Sequence, residues 1–310
     1  MSFKILGIGS CLPGTPVTNI ELSKQVDSNN EWIKTRTGIL QRYFTERMLY
    51  DIAHEASLSA IEDSKIDKSE IDFIIVCSTT PDRAFPSTAT TIQGLLGLKN
   101  IPSMDLNAVC SGFLYGMHIS KALMQTFNYK KILLIGADKM SSVLDMQERS
   151  TAVLFGDGAG AVILEKDESN FFDSEIASDG IYSEILKTEY KESIGQKISM
   201  QGGEVYKHAV TKMHELSKLM ISRNNLSIED IDFLVLHQAN TRIIDAVAER
   251  LGIDQNKTIK TVEHHANTSA ATIPLALKDM KEKNMLKRGN LILMSAVGAG
   301  LTSAGAIIKY

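Results

Sequence analysis

The chain has 310 residues, of which 44% are hydrophobic and 23% are charged, and its formal net charge at pH 7 is −4. This composition predicts a globular protein with an ample core, and the acidic balance excludes the basic field that nucleic acid requires. The apolar runs are shorter than a bilayer span, and Cys11, Cys77 and Cys110 show neither disulfide nor zinc spacing. We therefore expect a cytoplasmic protein with no membrane segment and no metal.

The first forty residues predict a strand, a turn and a helix. A strand at 4–10 precedes a Pro-Gly turn, and Asn19 is a candidate cap for a helix through residue 26. Trp32, the only tryptophan, suits either a half-buried anchor or a ligand contact. Arg36 and Arg42 suit either phosphate contact or simple solvation.

An internal repeat organises the rest of the chain. Residues 68–76 match residues 227–235, with Ile71 aligned to Ile231, 160 positions later. Further along, residues 104–113 match 261–270, which places Cys110 opposite Asn267, and residues 159–163 match 304–308. Three matches in one order predict two copies of one α/β unit, spanning residues 1–167 and 168–310.

Each copy contains the strands of a buried mixed sheet. Continuous apolar runs at 130–136 and 290–295 predict strands covered on both faces, and residues 159–165 and 304–310 predict strands that pair antiparallel with such sheets. Two mixed sheets with helices between and outside them would bury these runs. Active sites of α/β sheets lie at the carboxyl ends of strands, where Cys110, His237 and Asn267 are expected.

These three residues are candidates for chemistry, although each has an ordinary structural interpretation. Cys110 lies between a predicted strand at 104–109 and a predicted helix at 113–124, and it is either a nucleophile near a helix N-terminus or an inert buried thiol. His237 follows a strand and precedes a helix that ends at Gly252, and Asn267 also suits a cap or turn. Together they support acyl transfer through a thiolate.

Two glycine-rich segments, residues 155–161 and 298–302, can bring backbone N–H groups close to a reacting oxygen. Neither has the lysine and spacing of a phosphate loop. The adjacent His264 and His265 have no further ligands at metal spacing, so we expect no metal site.

The chain resembles the β-ketoacyl-acyl-carrier-protein synthase III family over essentially its whole length. The resemblance depends on several motifs in order, namely Glu31-Trp32, Arg36-Thr37-Gly38, Ala84-Phe85-Pro86-Ser87, residues 108–113, residues 155–161, His237-Gln238-Ala239-Asn240 and Asn267-Thr268-Ser269-Ala270. It implies a thiolase-like duplicated αβαβα five-layer fold with two pseudo-symmetric halves, which agrees with the repeat.

The resemblance also implies a decarboxylative Claisen condensation. Cys110 takes an acyl group, typically acetyl, from coenzyme A, and malonyl-acyl carrier protein then loses carbon dioxide and is acylated. His237 and Asn267 stabilise the enolate, and the N–H groups of Cys110 and Ala299 form the oxyanion hole. The reaction needs no cofactor, and its product, 3-oxoacyl-acyl carrier protein, begins type II fatty acid synthesis.

Other roles implied by the resemblance concern substrates and partners. Coenzyme A contacts are expected at Trp32, Arg36, Arg149, Gly202 and Asn240. Two basic residues, Lys207 and Arg242, are expected to dock the acidic carrier protein, and Phe85 is expected to reach the acyl pocket of a partner subunit in a homodimer.

The chain departs from the family at several positions. Ala299 stands between Gly298 and Gly300 where the family commonly has three glycines, and Val297 and Ser303 replace frequent aromatic residues. The primer length is therefore open. The alternatives are a related condensing or acyl-transfer enzyme of secondary metabolism, a thioester hydrolase, and a non-catalytic coenzyme A or carrier-protein binder.

Overall fold

A computed structural model describes residues 2–310, in which strands and helices alternate along the chain. The strands are β1 (Phe3–Cys11), β2 (Val17–Thr18), β3 (Gln41–Arg42), β4 (Phe73–Cys77), β5 (Ser103–Leu106), β6 (Lys131–Lys139), β7 (Asp157–Lys166), β8 (Phe172–Ser178), β9 (Leu186–Lys191), β10 (Gly195–Met200), β11 (Phe233–Leu236), β12 (Leu291–Val297) and β13 (Thr302–Lys309). The helices are α1 (Asn19–Leu22), α2 (Asn30–Thr37), α3 (Leu49–Ser64), α4 (Thr88–Leu95), α5 (Gly112–Phe127), α6 (Arg149–Ala152), α7 (Gly202–Arg223), α8 (Thr241–Leu251), α9 (Val262–His265) and α10 (Thr272–Glu282).

Two mixed sheets share a strand order over four strands, and the first has a fifth strand at one edge. The first is β1-β7-β6-β4-β5 and the second is β8-β13-β12-β11. In both sheets β7 or β13 pairs antiparallel with its two neighbours, as predicted, whereas β4 with β6 and β11 with β12 are parallel. The first sheet uses strands from residues 3–166 and the second from residues 172–309.

The sheets and helices stack in five layers. Helices α3 and α4 pack on the outer face of the first sheet, α5 and α10 lie between the two sheets, and α7 and α8 pack on the outer face of the second. The alternation of side chains along a strand explains this arrangement. In β6, Ile132 and Leu134 join the central core, while Leu133 and Ile135 join the outer core with α3. Burial of each such side chain stabilises the fold by roughly 1.5–3 kcal/mol.

The structure corrects the alignment of the two halves near the cysteine. Equivalent elements begin 160 residues apart: β4 and β11 at Phe73 and Phe233, and α5 and α10 at Gly112 and Thr272. At this spacing Asn267 is opposite Asn107, so the predicted equivalence with Cys110 was wrong by three positions. Local geometry agrees, because Asn107 Oδ1 and Asn267 Oδ1 each accept a hydrogen bond from the backbone N–H two residues later.

The predicted capping of the first helix was also wrong. Thr18 caps α1, because its hydroxyl accepts from the Glu21 N–H while the Glu21 carboxylate accepts from the Thr18 N–H. The helix ends at Leu22, four residues before its predicted end. Asn19 is buried instead and accepts a hydrogen bond from the Arg42 guanidinium at 2.8 Å.

Candidate active site

Cys110 lies where the chain enters the central helix α5. β5 ends at Leu106, three residues before its predicted end, and a 3₁₀ turn over Val109–Ser111 leads into the helix. Val109 adopts a φ of 48°, which is a left-handed conformation that costs a β-branched residue strain. The strained residue directly precedes the candidate nucleophile, so the surrounding structure has to hold this turn in place.

The resting side chain of Cys110 is a protonated thiol. It is buried, and desolvation raises the pKa of the thiol to about 12. The neighbouring Ser269 hydroxyl acts in the opposite direction and lowers the pKa of the thiol, although Ser269 Oγ makes no regular hydrogen bond within residues 2–310. Burial therefore disfavours a thiolate at Cys110 in the free protein.

His237 follows β11 directly and is also buried. Its backbone N–H donates to the Ser295 carbonyl at 2.8 Å, which continues the pairing of β11 with β12. Its Nδ1 lies 2.7 Å from the hydroxyl of Thr272. Desolvation lowers the pKa of the imidazole to about 3, so the ring is neutral at physiological pH.

Asn267 precedes a 3₁₀ turn over Ser269–Ala271 that leads into α10. Its Oδ1 accepts a hydrogen bond from the Ser269 N–H at 2.9 Å, as in an Asx turn. The turn interpretation of this residue is therefore correct, and the same turn leaves the amide Nδ2 as a donor for another group.

Two cavities meet at Cys110. A narrow cavity of about 60 Å³ is lined by all three candidate catalytic residues, Cys110, His237 and Asn267, together with Asn240 and Val297. A larger, mostly apolar cavity of about 300 Å³ also reaches Cys110 and is lined by Val109, Met140, Val143, Phe155, Leu186, Ile198 and Ala299, among others. The structure thus brings the three predicted side chains to one cavity and gives the thiol a second, apolar side.

The glycine loop contacts the turn that carries the cysteine. A Cβ on Gly298 would lie 2.8 Å from the Cys110 backbone nitrogen, so only glycine permits this approach. Gly300 has a φ of 98°, whereas Ala299 has no positive φ, and the alanine fits the loop without strain. Cys110 and Ala299 both lie in the first turn of 3₁₀ helices, where N–H groups have no partner inside the helix. Neither N–H group therefore has a partner inside its own helix.

The predicted coenzyme A contacts lie on several elements. Trp32 on α2 is half-buried, and the Arg149 guanidinium lies 4.6 Å from its ring centroid. Arg36 and Gly202 are exposed, and Gly202 begins α7. Asn240 caps α8 through its side chain and lines the narrow cavity. The structure therefore places the Arg149 guanidinium against the Trp32 ring, and it places Asn240 in the same cavity as Cys110. Arg36 and Gly202 take part in neither contact.

The residues predicted to contact partners are exposed. Lys207 lies on α7 and Arg242 at the start of α8, and the Arg242 guanidinium is 5.5 Å from the centroid of the Tyr206 ring. Phe85 is 85% exposed, which is unusual for a large apolar side chain. None of the three lines either cavity at Cys110.

Arg42 fits neither of its two predicted roles. The side chain is fully buried and donates to the carbonyls of Val17 and Val153 and to Asn19 Oδ1. Desolvation lowers the pKa of its guanidinium to about 10. The charge joins segments distant in sequence, which is why composition and local pattern gave no sign of its burial.

Sequence reasoning missed Asp138, at the end of β6. Its Oδ1 accepts from the hydroxyls of Ser78 and Thr80 and from the N–H groups of Thr79 and Thr80, and its Oδ2 accepts from the Ala270 N–H at 3.1 Å. Desolvation raises the pKa of this buried carboxyl, and these hydrogen bonds oppose the shift. The carboxyl connects the loop after β4 to the turn after Asn267. In the sequence, the sign of this role is an acidic residue at the end of an apolar run.

Within residues 2–310, no three histidine, cysteine or acidic side chains are grouped so that they could hold a metal ion. No helix in the same range combines the length and the apolar character needed to cross a membrane.

A duplicated five-layer α/β fold with a cysteine, a histidine and an asparagine around one cavity is typical of thiolase-like condensing enzymes. Family models identify the particular family. The model for 3-oxoacyl-[acyl-carrier-protein] synthase III matches residues 104–180, and the model for its C-terminal part matches residues 221–310, together more than half of the chain.

Individual relatives agree with the family models. The β-ketoacyl-[acyl-carrier-protein] synthase III of Rickettsia canadensis is 50% identical over 317 residues, covering 100% of both chains. The crystal structure of 3-oxoacyl-[acyl-carrier-protein] synthase III from Aquifex aeolicus matches with a TM-score of 0.95 and 38% identity over 100% of both chains. The Pseudomonas aeruginosa enzyme matches with a TM-score of 0.95 and 32% identity over 100% of this chain and 98% of that one. The chain therefore belongs to the 3-oxoacyl-[acyl-carrier-protein] synthase III family of enzymes, as its motifs predicted, and has their fold.

Proposed function

We propose that this enzyme condenses an acyl primer from acyl-coenzyme A with malonyl-acyl carrier protein, the reaction that begins type II fatty acid synthesis. The observation that carries the proposal is the presence of Cys110, His237 and Asn267 around one narrow cavity. The relatives that are 50% identical over the full chain are named for this synthase, which favours it over an enzyme of secondary metabolism.

The first step transfers the acyl group to the enzyme. The Cys110 sulfur attacks the thioester carbonyl, a new carbon–sulfur bond forms, the bond to coenzyme A breaks, and coenzyme A leaves as the thiol with the proton. The N–H groups of Cys110 and Ala299 donate to the oxyanion of the tetrahedral intermediate. Because burial opposes charge on the free thiol, these donors are most useful in the transition state.

The second step extends the acyl group. Malonyl-acyl carrier protein loses carbon dioxide, and the electron pair of the broken bond becomes an enolate, whose oxygen accepts hydrogen bonds from His237 Nε2 and Asn267 Nδ2. The enolate carbon then attacks the acyl-Cys110 carbonyl, and the carbon–sulfur bond breaks. Cys110 regains a proton, and 3-oxoacyl-acyl carrier protein leaves. Two neutral donors suit this step because the negative charge develops only when carbon dioxide departs.

Substrate recognition follows from the outer residues. The adenine of coenzyme A stacks on Trp32, and the Arg149 guanidinium, which lies 4.6 Å from the centroid of the Trp32 ring, binds near the phosphates. Arg36, Gly202 and Asn240 line the same coenzyme A channel, and Asn240 also lines the narrow cavity. Lys207 and Arg242 dock the acidic carrier protein.

The assembly that we propose is a homodimer. Phe85 exposes 85% of its surface, and an exposed side chain of this size is readily explained by a partner subunit that covers it. In the dimer, Phe85 of each subunit reaches the apolar cavity of the other, which closes the acyl pocket.

Intact-mass analysis tests the chemistry. After incubation with acetyl-coenzyme A, the enzyme should gain one acetyl group, and the Cys110→Ala variant should gain none. Cys11→Ala, which removes another buried cysteine, is the matched control and should acylate normally. Addition of malonyl-acyl carrier protein should yield a 3-oxobutanoyl carrier with the wild type but not with Asn267→Ala, which should still acylate.

Three results would contradict the proposal. An enzyme that never forms an acyl adduct would be a binder, and release of free acetate without malonyl donor would indicate a hydrolase. An acyl adduct that is not extended would favour the secondary-metabolism alternative.

A further inference from the structure

Thr272 is the hydrogen-bond partner of the His237 ring. It is the first residue of α10, it is buried, and its Oγ1 lies 2.7 Å from His237 Nδ1. The ring lines the narrow cavity together with Cys110, and because Nδ1 contacts Thr272, Nε2 is the ring nitrogen left to face a substrate. In a neutral imidazole only one of the two nitrogens carries a proton. The protonation of Nδ1 therefore decides whether Nε2 donates a hydrogen bond to a substrate or accepts one.

The surroundings of Thr272 favour one arrangement. A neutral imidazole carries a single N–H, and the hydroxyl has a single hydrogen, which can go either to His237 Nδ1 or to the Ser269 carbonyl at 3.1 Å. That carbonyl already accepts from the Thr272 backbone N–H. The shorter distance of 2.7 Å to Nδ1 is typical of an O–H donor, whereas N–H donors more often lie about 2.9–3.0 Å from oxygen.

We propose that Thr272 is a positioning residue that donates its hydroxyl hydrogen to His237 Nδ1 and so keeps the ring proton on Nε2, facing the thioester. The role that it gives His237 depends on the proposed function above. The arrangement is the reverse of a histidine backed by a carboxylate, in which Nδ1 donates and Nε2 accepts a proton from a nucleophile. His237 is then a hydrogen-bond donor to the enolate and not a base for Cys110.

This assignment separates the two half-reactions. Acyl transfer to Cys110 requires no donor at Nε2, so it should not depend on the Thr272 hydroxyl. Condensation requires the Nε2 donor, and loss of one preorganised donor typically lowers the rate by about 10²–10³. A merely structural role would affect both half-reactions together.

Nuclear magnetic resonance on the unmodified enzyme tests the proton position directly. The chain has seven histidines, so ¹⁵N labelling of histidine alone gives few signals, and the His237→Gln variant identifies the relevant pair. The expected spectrum shows a protonated Nε2 and a bare Nδ1. A protonated Nδ1 in the resting enzyme would overturn the proposal.

Kinetics of the Thr272→Val variant provide the second test, since valine keeps the shape and removes the hydroxyl. We expect normal acetylation of Cys110 and a condensation rate lower by about 10²–10³, with recovery in the Thr272→Ser variant. Normal condensation by Thr272→Val, an equal loss of both half-reactions in Thr272→Val, or no recovery in Thr272→Ser would contradict the assignment.

Failure of the proposed function and failure of the Thr272 assignment would give different experimental results. If the wild type forms no acyl adduct or no 3-oxoacyl product, the proposed function fails. If the wild type does both and Nδ1 carries the proton, the function stands and the inference about Thr272 fails.

Discussion

The contact between Gly298 and Cys110 leads to a sharp prediction about the proposed oxyanion hole. In the Gly298→Ala variant the new Cβ would lie 2.8 Å from the Cys110 nitrogen and 2.8 Å from Thr302 Oγ1. Ordinary contacts of this kind begin at 3.4 Å, so the cysteine turn and the glycine loop have to separate by about 0.6 Å. Useful oxyanion donors lie about 2.7–3.1 Å from the oxygen, so this displacement exceeds the whole tolerance.

We therefore expect Gly298→Ala to slow acetyl transfer to Cys110 by about 10²–10³, the cost of losing one donor. The assay is intact-mass analysis of samples quenched at successive times after mixing with acetyl-coenzyme A. Gly94→Ala is the matched control, because Gly94 is exposed on α4 and a Cβ there would meet nothing within 4 Å. Thermal unfolding establishes that both variants are folded. A folded Gly298→Ala enzyme that acylates at the wild-type rate would refute the reasoning.

Three other predictions concern binding, pH and packing. Trp32→Ala removes the ring next to Arg149, so steady-state kinetics should give a KM for acetyl-coenzyme A about 2- to 5-fold higher at unchanged kcat; an unchanged KM would exclude stacking. Burial lowers the pKa of His237 to about 3, so between pH 3 and about pH 6.5 the unfolded chain binds one more proton than the folded chain. The free energy of unfolding should therefore fall by up to about 1.4 kcal/mol per pH unit as the pH drops towards 3. Urea unfolding should show this extra slope in the wild type relative to His237→Gln, and parallel profiles would contradict it. Gly9→Ala places a Cβ 2.2 Å from backbone atoms of α3, which cannot rotate away. The free energy of unfolding should therefore fall by about 3 kcal/mol or more. A loss no greater than that of Gly94→Ala would be inconsistent with this contact.

Patterns that repeat along the chain predicted the fold well. The apolar runs of β6 and β12 indicated strands buried on both faces, and Gly252 ends α8 in a left-handed conformation as expected. Cys110 and His237 were correctly placed after strands, because the end of an apolar run is visible in the residues themselves. These features depend on local spacing, which a single sequence displays.

Features that depend on distant contacts were not predictable in this way. The equivalence of Asn107 and Asn267 became visible only through the shared turn geometry, since the residues after them differ. The burial of Arg42 depends on acceptors near residues 17, 19 and 153. Only the approach of α10 to the end of β11 makes Thr272 a partner of His237.

The site keeps its three candidate catalytic groups neutral until the reaction begins. Cys110 is a thiol because burial raises its pKa, and His237 is an uncharged imidazole because burial lowers its pKa. A cationic histidine beside the thiol would stabilise a resting thiolate, and part of that stabilisation would be lost when the sulfur is acylated. In the proposed mechanism, neutral donors fixed by the fold avoid this loss, because they would interact strongly only with the oxyanion and the enolate, whose charge appears during each step. A hydroxyl at Nδ1 of His237 serves this purpose, since it orients the ring without adding a charge that would raise the pKa of the imidazole.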